Sequence, residues 1–126
     1  MARFLLVLQP NGSAGEGPPD PHDPAAILEA LDPVLQALSA EVDHRTPAHL
    51  GALLKQGAES QRMQLFADVQ AKTGGRVLEL VLISREAMGL RAPQTLQMFE
   101  RLVQLVQAQM PQMQVTFRSD RDGPLP

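Results

Sequence analysis

The stretch RMQLFADVQAKTGGRVLELVLIS, residues 62–84, decides the fold, because it carries the clearest local pattern in the chain. Met63, Leu65, Ala67 and Val69 alternate with Arg62, Gln64, Phe66, Asp68 and Gln70, the signature of a strand with one dry and one wet face. KTGG then supplies glycines for positive φ, and RVLELVLIS returns as a more apolar strand. This pattern predicts a β-hairpin.

Towards the N-terminus, RFLLVLQ (residues 3–9) is apolar on both faces of an extended chain, as in a strand covered on both sides. Residues 10–24 hold five prolines and three glycines and predict a flexible loop. Asp23-Pro24 then reads as an N-cap with proline at the first helical position. Ile27, Leu28, Leu31, Leu35, Leu38 and Val42 follow as one helical stripe, interrupted at Asp32-Pro33, where the helix kinks or restarts. Thr46-Pro47 repeats the start signal, and AHLGALLKQ reads as a short further helix, residues 47–56, ending at Gly57.

Beyond the hairpin, Pro93 opens a helix and Pro111 closes it, with Leu96, Phe99, Leu102, Val103, Val106 and Met110 on one broad face. QMQVTFRS alternates as a last strand burying Met113, Val115 and Phe117. A polar tail, residues 120–126, is expected to fray.

The order is strand, helix with an extra short helix, strand, strand, helix, strand. It resembles the ferredoxin-like βαββαβ fold, an α+β architecture with a four-stranded antiparallel sheet. Residues 1–119 would form its single domain. The resemblance implies central first and third strands, which matches the two most apolar runs, and both main helices on one sheet face. Leu78, Leu80 and Leu82 would then point at the helices. Val77, Val81 and Ile83 would point away, with Glu79 among them and Leu5 and Val7 alongside. An apolar patch of that kind calls for a cover. Three are expected as alternatives: a second copy of the chain, another protein or ligand, or the helix 47–56 folded across the face.

Composition narrows the function. With 44% hydrophobic and 20% charged residues the chain is neither disordered nor membrane-like, and no run approaches a membrane span. A net charge of −3 offers no basic footprint for nucleic acid. There is no Trp or Tyr, and only Phe4 falls on a central strand, so base stacking has little to work with. Absence of cysteine removes disulfides, thiolate metal sites and thiol chemistry. The apolar run Phe4 to Leu8 is shorter than a signal-peptide core and ends at Gln9-Pro10 without a small-residue cleavage site, so a cytoplasmic location is expected.

The glycines at 12, 15 and 17 fit neither phosphate-binding pattern: no Lys-Ser/Thr pair follows them, and their spacing is G-x-x-G-x-G. Prolines 18, 19 and 21 also separate them from the next helix. Asp20, His22 and Asp23, and Asp43, His44 and His49, are potential ligands without a compact metal signature, so no metal and no cofactor is expected. No serine or threonine sits in a recognisable nucleophile context. Glu79 is the carboxylate best suited to acid–base work, set in an apolar strand where desolvation favours the neutral acid. Asp68, Gln64, Gln114 and Arg118 are the other candidate ligand-binding residues, and Leu5, Val7, Val77, Val81 and Ile83 the candidate interface residues. These features favour a homodimeric interaction or regulatory module. The alternative resembles the dimeric α+β barrels, a small-molecule binder or enzyme with its pocket near Glu79.

Overall fold

A computed structural model of the chain describes residues 2–10, 24–54, 63–72, 75–86 and 92–122. They form β1 (Ala2–Pro10), α1 (Pro24–Glu29), α2 (Asp32–Ala37), β2 (Ala40–Arg45), β3 (His49–Leu54), β4 (Met63–Lys72), β5 (Gly75–Ser84), α3 (Pro93–Gln109), β6 (Met113–Arg118) and a single turn, α4 (Ser119–Asp122). The expected loop at 10–24 and the TGG of the hairpin turn fall largely outside the described residues.

All six strands join one antiparallel sheet in the order β2-β3-β4-β5-β1-β6. The four-stranded ferredoxin-like expectation is therefore wrong. β4 is not an edge; its outer side pairs with β3 from His49↔Asp68 to Leu54↔Met63, and β2 continues the sheet beyond it. Among the described residues strand exceeds helix, which is limited to the short α1–α2 pair, α3 and the turn α4.

The difference arises between residues 38 and 54. The helical stripe stops at Leu38, because Ser39 turns into the left-handed region (φ 54°) while its N–H bonds back to the Gln36 carbonyl at 3.1 Å. Val42, placed in the helical stripe by its spacing, lies in β2 and is 39% exposed. Pro47 and Ala48 then form a tight turn, closed by the Thr46 N–H donating to the His49 carbonyl at 2.7 Å. What reads as a helix over 47–56 is, over its described residues, the turn and β3. Leu50, Ala52 and Leu54 point to the core; His49, Gly51 and Leu53 point the other way. That helix therefore does not cover the open face.

The core lies on one side of the sheet. Ala2, Phe4, Leu6 and Leu8 of β1 join Leu78, Leu80 and Leu82 of β5 and Leu65, Ala67 and Val69 of β4 beneath the helices. Each fully buried Leu contributes roughly 1.5–3 kcal/mol. α3 presents Phe99, Leu102, Val103 and Val106, and Phe99 stacks on Phe4 with ring centroids 5.1 Å apart. Ile27, Leu28, Leu31, Val34, Leu35 and Leu38 complete the layer. Pro33 restarts the helix as α2, placing Asp32 in its first turn, where Arg45 Nη1 reaches its carboxylate at 3.4 Å.

Pro93 opens α3 with no cap from Ala92, which is left-handed at φ 45°. Glu86 supplies the cap from outside the helix. Its Oε2 accepts from the Gln94 N–H at 3.0 Å, and Oε1 accepts from the Thr95 N–H and hydroxyl, both at 2.7 Å. With the Thr95 proton committed to Glu86, the Ser84 hydroxyl donates to Thr95 Oγ1 at 2.5 Å and accepts from the Glu86 N–H at 3.1 Å. A closed ring of hydrogen bonds thus ties the end of β5 to the start of α3.

Candidate functional site

The face of the sheet away from the helices carries most of the residues singled out from the sequence. Strand alternation and register place Leu5, Val7, Val77, Glu79, Val81 and Ile83 there, with Gln64, Phe66, Asp68 and Gln70 from β4 and His49, Gly51 and Leu53 from β3. Among the described residues, no helix packs on this face. Val77 is buried there, and Leu5, Val7, Val81 and Ile83 are half-buried.

β6 departs from simple alternation. Its pairing with β1 shifts register between Val7↔Phe117 and Leu8↔Val115, leaving Thr116 as the extra residue. Met113 and Val115 stay on the core side, but Phe117 turns to the open face opposite Val7. Its expected burial with Met113 and Val115 is corrected accordingly. Arg118 moves to the helix side, its guanidinium 6.0 Å from the Phe99 ring centre and donating to both carboxylate oxygens of Asp120 at 3.0 and 2.7 Å. Arg118 is therefore separated by the sheet from the other candidate ligand-binding residues. Gln114 pairs with Gln9 at the outer edge, while Gln64 lies four residues along β4 from Asp68.

The centre of the open face is apolar. Leu5, Val81, Phe66 and Gly51 follow one another across β1, β5, β4 and β3. A Cβ on Gly51 would stand 3.3 Å from an Asp43 carboxylate oxygen and 3.5 Å from the Phe66 ring, so glycine lets that ring lie across the neighbouring strand.

One step along the strands runs the row Phe117, Val7, Glu79, Asp68, His49. Its polar half is hydrogen-bonded. His49 Nδ1 and Asp68 Oδ1 are 2.5 Å apart, and Gln70 Nε2 donates to Glu79 Oε1 at 2.8 Å. The His49 ring stacks against Phe66 at 6.3 Å and meets the His44 ring at 5.5 Å. Two carboxylates thus sit directly opposite each other on adjacent strands, each held by a separate polar partner.

His44 lies in β2 and His49 in β3. Asp20, His22 and Asp23 fall outside the described residues, and among those described no group of three or more His, Asp or Glu is arranged to hold a metal. Phe4 stacks on Phe99 in the core and presents no face to a base. An open groove of about 450 Å³ lies along α3, lined by Gln94, Gln97, Met98, Glu100, Arg101 and Gln104, on the side of the sheet away from the carboxylate row. Among the described residues no helix is long and apolar enough to cross a membrane.

The site residues missed from the sequence are Gly51, Leu53, Phe66, Gln70 and Phe117, together with His49 as the partner of Asp68. The available signal was the alternation in HLGALL after Thr-Pro: Leu50, Ala52 and Leu54 against His49, Gly51 and Leu53. Neither a protein-family model nor a curated protein matches the chain.

Proposed function

We propose that the protein is a homodimeric association module, working in the cytoplasm, whose helix-free sheet face packs against the same face of a second copy. The observation that carries this reading is the cluster Leu5, Val7, Leu53, Phe66, Val81, Ile83 and Phe117 on one face, on which no described helix packs. A patch of contiguous apolar side chains is the usual mark of an interaction surface.

Size and edges favour face-to-face pairing. Six strands about 4.8 Å apart, each crossing with about six residues at about 3.4 Å, span roughly 600 Å² per copy. A pair would bury roughly 1,200 Å² in total, at the lower bound of standard interfaces. Both sheet edges are poor templates for edge-to-edge growth: β2 carries Glu41, Asp43, His44 and Arg45 and shifts register after Val42, and β6 is bulged at Thr116.

Native mass spectrometry and sedimentation of the wild type and of Val81→Asp test the reading. Twice the 13.7 kDa chain mass for the wild type, with a folded, monomeric Val81→Asp, is expected. A wild type that is monomeric at every concentration would overturn it. The second reading, a ligand pocket beside Glu79, draws on the Asp68–His49 and Gln70–Glu79 pairs; a retained small molecule in the dimer spectrum, lost in Glu79→Gln, would favour it.

A further inference from the structure

Resting on that reading, we infer that self-association through this face takes up protons, so that the dimer tightens as pH falls. The juxtaposition behind this is Asp68 directly opposite Glu79 within the face that the second copy would cover.

In the free chain both carboxylates remain open to water, which screens their repulsion. Covering the face removes that water. Among the described residues the groups facing this row are few. The His44 ring meets His49 from β2, where an Asp43 carboxylate oxygen lies against Gly51; Asp68 adjoins His49 from β4, and Gln70 supplies Glu79 with an uncharged donor. β1 contributes Val7 opposite Glu79, and its Arg3 lies further along, opposite Ile83. Arg45 points to the helix side and is engaged with Asp32.

Of the described basic residues at open-face positions, Arg3 stands opposite Ile83 and Lys72 opposite Gly75, each four residues along its strand from the carboxylate row. The row therefore carries two negative charges per copy when His49 is neutral, and burial favours states in which His49 is protonated or a carboxyl is neutral. A dimer that binds more protons than two free chains gains affinity as pH decreases, by up to about tenfold per pH unit for each proton taken up.

Sedimentation velocity at pH 8, 7 and 6 and constant ionic strength, on the wild type and on Asp68→Asn/Glu79→Gln, tests this. The substitutions keep shape and lie on the uncovered face, and a thermal melt verifies folding. The wild-type dissociation constant is expected to fall about tenfold or more from pH 8 to pH 6. The double variant is expected to dimerise at pH 8 as tightly as the wild type at pH 6, with a flattened pH dependence. A dimer equally tight at pH 6 and 8, or a double variant that keeps the wild-type slope, would overturn the inference. A wild type monomeric throughout would instead overturn the dimer reading on which it rests.

Discussion

Glu86 holds Thr95 by two hydrogen bonds of 2.7 Å, one from its backbone N–H and one from its hydroxyl, and so caps a helix from a residue nine positions upstream. Burial acts to raise the pKa of this carboxyl, but the bonds from the Thr95 side chain and the Thr95 and Gln94 backbone outweigh it and leave the pKa lowered. A folded-state pKa below the unfolded one gives stability that is complete above the unfolded value, about 4.3, and lost as pH falls through the folded value. Glu86→Gln should therefore lower the melting temperature at pH 7, with the gap to the wild type closing towards pH 3. Parallel thermal melts across that range check it, and a constant gap would contradict the ionised cap.

Ser39 ends the first helical layer with φ 54°, a conformation that costs a non-glycine residue free energy. Ser39→Gly should raise stability by about 0.5–1 kcal/mol. Urea denaturation of the two proteins measures this directly.

Leu50 and Leu53 separate a strand from a helix at residues 49–54. In β3, Leu50 is fully buried and Leu53 faces the open side. Leu50→Ala should cost about 2–5 kcal/mol, and Leu53→Ala less than about 1 kcal/mol in the monomer. A helix would place both side chains on one stripe, so similar losses for the two variants would contradict β3.

Phe99 joins the Phe4 stack to the Arg118 guanidinium. Phe99→Ala should destabilise by about 3–5 kcal/mol. Arg118→Ala, which removes a partly exposed ion pair and a distant cation–π contact, should cost about 1 kcal/mol. Chemical denaturation of both variants gives the comparison.

Much of the sheet was legible because alternation is a local property. Met63 to Val69 against Gln64 to Gln70 defined both faces of β4, and the apolar run of β5 implied cover on one side and a second apolar face on the other. Proline bounded α3 at both ends. HLGALL was ambiguous because Leu50, Leu53 and Leu54 satisfy a helical period while Leu50, Ala52 and Leu54 satisfy a strand period. Alanine and leucine also favour helix in isolation, and pairing with the open edge of β4 outweighed that preference. The candidate site was half legible: Glu79 and Asp68 were recognised separately, whereas their opposition, and the approach of His49, depends on the registers of β3, β4 and β5.

By itself, then, the chain's order of apolar and polar residues determined the β4–β5 hairpin, the span of α3 and which side chains of β1 and β5 share a face. The tertiary structure decided that residues 40–54 extend the sheet, and that a bulge at Thr116 turns Phe117 to the open face and Arg118 to the helix side. The physical reason is reach. Periodicity is set by each residue's near neighbours, while strand partnership and register are set by backbone hydrogen bonds between segments far apart in the chain, which leave only a weak local trace.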